Sequence, residues 1–177
     1  MASSSPRSSP ILIRKASPGD EKAFLKLVKA LAKFEKLDPP SPSGTRRLIR
    51  DTFRTKKLKL LLAFSNDKPV AYALYFFTYS SFLARPTLYL EDLFVLEEFR
   101  GKQIGRKIFL QLVREAKKLG CGRIEWAVLA WNKNAIKFYE KLGAKHLKEW
   151  HYYRLDSRGI ELLLLSSKNP YTRESVS

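Results

Sequence analysis

The chain has 177 residues, with 34 Lys and Arg against 17 Asp and Glu, a formal charge of +17. That length suits one domain, and 45% hydrophobic content suffices for a core, which excludes a disordered basic protein. The longest unbroken apolar run, Val70 to Phe77, is far short of the ~20 residues a membrane span needs. Cys121, the only cysteine, excludes an internal disulfide and a Cys-based zinc site, and points to a reducing setting, taken as the cytoplasm. His146 and His151 are too few and too badly spaced for a metal, so none is expected.

In chain order, residues 1–10 hold five Ser and no apolar segment, and read as a disordered tail or a Ser-rich transit segment. Ile11 to Ile13 reads as a strand. Ser17 then suits an N-cap, with Pro18 at the first helical position and Asp20 near the third. Phe24, Leu27, Val28 and Leu31 follow at i, i+3, i+4, i+7, an amphipathic helix ending before Pro39. Leu37 to Gly44 is expected as a loop, and Thr45 to Thr55 as a basic helix with Leu48, Ile49 and Phe53 inward. Leu58 to Phe64 and Val70 to Tyr79, separated at Ser65 to Asp67, describe an antiparallel hairpin.

Thr87 to Val95 is the next strand. Strict alternation places Tyr89, Glu91 and Leu93 on one face and Leu88, Leu90, Asp92 and Phe94 on the other. A helix from Gln103 buries Ile108, Phe109, Leu112, Val113 and Ala116 and stops at Gly120. Arg123 to Leu129 reads as a strand, and Asn132 as the N-cap of a short helix closed by Gly143. Ala144 to Leu155 and Glu161 to Leu165 read as a final antiparallel pair, and residues 168–177 as a tail. The expected fold is one mixed α/β domain over residues 11–167, its sheet mostly antiparallel, with six to seven strands and about four helices.

Charge is distributed unevenly. Arg46 to Lys59, Arg100 to Lys118 and Lys133 to Lys148 together carry +16, whereas Glu91, Asp92, Glu97 and Glu98 place −4 just ahead of the second basic window. In that region a strand, Leu90 to Val95, runs through Arg100-Gly101-Lys102-Gln103-Ile104-Gly105-Arg106 into a helix. Helix N-terminal amides with Arg100, Lys102 and Arg106 make an anion site that fits a pyrophosphate; the same residues also describe an ordinary turn with surface bases.

This stretch resembles the Gcn5-related N-acetyltransferase superfamily, whose cofactor loop follows Arg/Gln-x-x-Gly-x-Gly/Ala. Arg100 and Gly105 meet that pattern, and Gln103 replaces its middle Gly. Trp131 to Ala144 (WNKNAIKFYEKLGA) resembles the family's second helix motif. Within the superfamily, Leu31 to Glu35, Tyr75 to Tyr79, Leu88 to Val95 and Trp131-Asn132 are similar to diamine (spermidine/spermine) and thialysine N-acetyltransferases. Two positions depart from that group: Ser80 stands where diamine enzymes carry an acid, and Phe34 where they carry Tyr.

The resemblance implies acetyl-CoA as co-substrate and a small cationic amine, a polyamine, diamine or lysine analogue, as acceptor. A lysine-like amine, pKa ~10.4, is protonated at neutral pH and needs a base before it can attack a thioester. Glu91 is the candidate, and Tyr139, a phenol, is the candidate acid for the leaving thiolate. Cofactor contacts are expected from Leu93, Phe94 and Val95 on a splayed strand, Arg100 to Arg106 (Gly101, Lys102, Gln103, Ile104 and Gly105 between), Asn132, Ala135 and Lys141. Phe34, Glu35, Ser80, Asp92, Glu125, Trp126 and Trp150 are the candidate substrate residues, the acids holding the cation and Trp131 with the other aromatics walling it. A homodimer is implied, with no membrane partner. A protein or peptide N-acetyltransferase is the alternative; a nucleic-acid-binding protein, suggested by +17, ranks last for want of a motif with interleaved aromatics.

Overall fold

The computed structural model describes residues 10–167; the expected tails, except Pro10, lie outside the described residues. These divide into two compact units, one up to Ala127 and one from Val128.

The first unit holds one sheet of β1 (Ile11–Lys15), β2 (Lys59–Ser65), β3 (Lys68–Ser80), β4 (Arg85–Val95) and β5 (Arg123–Glu125), in that spatial order. The first four run antiparallel, and β5 joins β4 in parallel. β2 and β3 connect through Asn66 and Asp67, both left-handed at φ 46° and 59°. That two-residue turn has the twist of the strands it joins, which pins the hairpin register.

Both faces of the sheet are covered. On one, Leu60, Leu62, Tyr72, Leu74 and Phe94 bury against Phe24 and Leu27 of α1 (Glu21–Glu35). Leu61, Ala63, Ala71, Ala73, Tyr75, Leu88 and Leu90 are buried as well, the opposite set of the pleat. α3 (Ile104–Lys118) packs on the sheet and buries Ile104, Ile108, Phe109, Leu112 and Ala116. Val113 does not join that stripe; it is 39% exposed, because one step beyond Leu112 turns it ~100° around the helix.

The entry to α1 differs from the expected cap. Ser17 to Gly19 form a turn, and Asp20 precedes the helix with its carboxylate committed elsewhere: it pairs with Arg14 at 2.6 and 2.9 Å and accepts from the Ser17 amide at 2.8 Å. The Arg14 hydrogen bond, with burial opposing and the Ser17 contacts adding, holds Asp20 down at about 2. A depressed carboxyl stabilises the fold above its unfolded pKa and loses that contribution as pH falls through the folded one. Asp20→Asn is therefore expected to cost about 2 kcal/mol at pH 7 and much less near pH 2, read by urea unfolding at both pH values. An equal cost at both would remove the ion pair as the cause.

α2 (Pro42–Ile49) begins earlier than expected, since the Ser41 hydroxyl accepts the Gly44 amide at 3.1 Å and Pro42 sits where a missing N–H costs nothing. It continues as a π-helical turn, Arg50–Arg54, and Leu48, Ile49 and Phe53 pack inward as expected.

In the second unit, α4 (Lys133–Lys141) starts at Asn132, whose side chain accepts the Ala135 amide at 3.2 Å, and is followed by Gly143 at φ 85°. The expected last two strands are not formed. Residues 144–156 are irregular, since a strand persists only in a ladder and no described segment pairs with them. Glu161 to Leu165 belongs to α5 (Ser157–Ser167). A Leu run carries no period to separate strand from helix, and Asp156, accepting the Gly159 amide at 2.8 Å, decides for helix. The described residues thus form five strands and five α-helices, one to two strands fewer and one helix more than expected.

Candidate active site

The expected alternation along β4 fails at one residue. Tyr75 pairs with Leu90 and Leu74 with Asp92, so Glu91 has no partner and forms a bulge. A bulge inserts one residue and reverses the faces beyond it. Asp92 therefore leaves the face of Leu88 and Leu90 and joins Tyr72, Tyr89 and Phe94 on the α1 side, while Leu93 moves to the α3 side. Glu91 is exposed and Asp92 half-buried.

Five expected site residues, Phe34, Glu35, Asp92, Phe94 and Arg100, meet on that face, with one that sequence alone did not suggest. The Tyr72 hydroxyl donates to Asp92 Oδ2 at 3.0 Å. The Phe34 ring, near the end of α1, lies 6.2 Å from Phe94, and the Arg100 guanidinium covers both at 4.5 and 5.9 Å. Glu35 is half-buried and its carboxyl is pushed up by desolvation. Asp92 is pushed up to about 6, chiefly by burial and further by Glu91 and Glu35, with the Tyr72 bond opposing. Tyr72 lies within the apolar run from Val70 to Phe77 and drew no separate expectation; only the bulge brings a carboxylate to its hydroxyl.

Arg100, expected at the phosphates, donates from its Nε to the Val95 carbonyl at 3.1 Å. It anchors the turn between β4 and α3. Beyond it, Gly101 (φ 74°) and Gln103 (φ 62°) are both left-handed. Gln103 thus keeps a glycine-like backbone in the position where the loop pattern has Gly, at a strain cost of about 1–2 kcal/mol. α3 follows directly, and its first-turn amides have no intrahelical acceptors. Lys102 and Arg106 are exposed beside them, and open space lies where Gly101 would carry a Cβ. These residues fit a pyrophosphate.

The expected splay is present. β5 accompanies β4 only over Thr87 to Tyr89, so from Leu90 to Val95 that edge of β4 carries no strand among the described residues. The expected strand past Glu125 stops because Trp126 turns to pack edge-on against Phe109 of α3, at 5.4 Å.

Two other expected substrate residues are engaged by neighbours of their own. Ser80 is buried and its hydroxyl accepts the Leu83 amide at 3.2 Å, closing the β3–β4 turn. It stands six residues from Leu74 along β3, about 20 Å from the Asp92 level. Glu125 is paired with Arg123 at 3.0 Å. In the second unit Trp150 is 76% exposed, Tyr139 is half-buried with its ring 5.1 Å from Phe138, and Lys141 is exposed. No group of three or more His, Cys, Asp and Glu side chains able to hold a metal occurs among the described residues, and no described helix is long and apolar enough to cross a membrane.

Comparison with known proteins agrees with this geometry. The Acetyltransferase (GNAT) family profile matches residues 26–144. Bovine (Bos taurus) thialysine N-epsilon-acetyltransferase is 36% identical over 165 residues, covering 86% of this chain and 96% of that protein. L-ornithine N5-acetyltransferase NATA1 of Arabidopsis thaliana is 43% identical over 99 residues, covering 55% of this chain and 43% of the enzyme. The structure of aminoglycoside N-acetyltransferase AAC(6')-Iy in complex with CoA shares the fold, with a TM-score of 0.70 at 19% identity, covering 85% of this chain and 97% of that one. A matching loop, a splayed β4 and relatives that span the chain lead to one conclusion: this protein belongs to the GNAT acetyltransferase family and is an N-acetyltransferase.

Proposed function

We propose that the protein transfers the acetyl group of acetyl-CoA to a primary amine of a small cationic molecule, a diamine, polyamine or lysine analogue, with residues 11–167 as the catalytic domain. The observation that carries this is the acidic group Glu35, Glu91 and Asp92, to which no basic side chain is hydrogen-bonded among the described residues. Two half-buried acids, Glu35 and Asp92, with the exposed Glu91 beside Asp92, favour a cation supplied from solution. The names of the thialysine and ornithine relatives support an acceptor of that class.

Acetyl-CoA, when bound, supplies the activated acetyl thioester. The first-turn amides of α3 with Lys102, Arg106 and the loop from Gly101 to Gly105 hold its phosphates, and the unpaired edge of β4 from Leu93 to Val95 offers amides to its acyl arm. Asn132, Ala135 and Lys141 are assigned to the same molecule by the family motif. Asp92 and Glu35 hold the ammonium group, and Phe34 provides an aromatic wall. Glu91, solvent-exposed at the bulge, takes the amine's proton directly or through a water, and the Tyr139 hydroxyl returns a proton to the departing sulfur. A cytoplasmic homodimer completes the proposal.

The test is thiol release. With acetyl-CoA and a panel of diamines, polyamines and basic amino acids, free thiol is expected above background for at least one amine, at micromolar to millimolar KM. No amine-dependent thiol across the panel would exclude the proposal.

A further inference from the structure

The mechanism above leaves Tyr72 unused, yet its placement is costly. The residue is fully buried, and a phenol hydroxyl there is destabilising unless it finds a partner. The ring packs against Phe24 at 5.5 Å and Phe94 at 6.3 Å. Its hydroxyl donates to Asp92 Oδ2, on the residue beside the β4 bulge.

Tyr72 is the only side-chain hydrogen-bond donor to Asp92 among the described residues. The other charged groups near Asp92 are Glu91 on its own strand and Glu35 from α1, and both favour its protonated form, as does burial. Arg100, whose guanidinium lies over Phe34 and Phe94 on this face, engages the Val95 carbonyl and does not hydrogen-bond Asp92. A donor to the charged form is what keeps such a carboxyl ionised.

We propose that Tyr72 is a positioning residue for acetyl transfer: its hydroxyl fixes the Asp92 carboxylate and favours its charged form, so that the site holds the ammonium group of the amine at neutral pH. This rests on the assignment of the acidic group as the amine site. The hydroxyl is insulated from the substrate by burial, so it acts through Asp92 alone.

Tyr72→Phe in the full chain keeps the ring and removes only the donor. The first readout needs no substrate: the carboxyl carbon of Asp92, assigned by its disappearance in Asp92→Asn, is titrated by NMR in both proteins. Its midpoint is expected to rise by about one pH unit in Tyr72→Phe. The second is the pH dependence of kcat/KM for the most active amine of the panel. Its acid limb is expected to move upward by the same amount through a raised KM, with the deficit narrowing as pH rises. In the Asp92→Asn background, Tyr72→Phe should add no further pH dependence.

An unmoved midpoint overturns the proposal, and so does a uniform loss of rate at every pH, which marks a merely structural residue. A shifted midpoint in a protein that acetylates none of the amines would count against the amine site and leave the Tyr72–Asp92 coupling standing, so the two failures are distinguishable.

Discussion

Asp92→Asn is expected to make the protein more stable and a weaker enzyme at pH 8. The carboxyl is raised to about 6 by burial and by Glu91 and Glu35. A carboxyl raised on folding costs nothing while both states hold the proton, and its penalty grows as pH climbs from the unfolded pKa to the folded one. Above pH 7 the penalty is complete, up to about 3 kcal/mol for a shift of this size. Asn is neutral at every pH and still accepts the Tyr72 hydroxyl. The variant should therefore unfold at higher temperature than the parent at pH 8, by about 2–4 °C per kcal/mol at this chain length, and the gain should vanish near pH 4.

Activity should move the other way. A charged partner of the ammonium group is lost, which corresponds to about 10- to 100-fold in kcat/KM for the amine. Thermal unfolding at the two pH values and steady-state kinetics check both halves. A variant less stable than the parent at pH 8 would show that Asp92 is held by compensating contacts and not strained by burial.

Tyr139→Phe is expected to lower kcat by about 10²- to 10⁴-fold, the range for loss of a general acid. The half-buried ring beside Phe138 is kept, so KM for acetyl-CoA and thermal stability should change little. Glu91→Gln supplies the contrast. Its deficit should shrink as pH approaches the amine's own pKa of ~10, where the substrate arrives deprotonated and needs no base, whereas the Tyr139→Phe deficit should persist there. A kcat within threefold of the parent would remove Tyr139 from the mechanism.

Much of the fold was legible because it depends on local chemistry. The apolar spacing of Phe24, Leu27 and Val28 marks α1, Asn66-Asp67 marks the hairpin turn, and Asn132 with Gly143 brackets α4. The cofactor loop was legible for the same reason, as a strand, a Gly-bearing turn and a helix in immediate succession. What failed was wherever several states shared one local pattern. Leu162 to Leu165 suits strand or helix equally, and the Asp156 cap selects helix. Ser80, Glu125 and Trp126 carry the right chemistry for a cation site. Their neighbours Leu83, Arg123 and Phe109 engage them elsewhere, and those neighbours are set by register and packing.

By itself the sequence determined the family, through residues 90–106 and 131–144, and the presence of the acids Glu35, Glu91 and Asp92. Which face each acid takes was decided only by the tertiary structure. Side-chain direction in a strand alternates with period two, so a single unpaired residue reverses everything beyond it. The bulge at Glu91 arises from the pairing of β4 with β3, a long-range contact that no local pattern encodes. It alone carries Asp92 across the sheet to Tyr72.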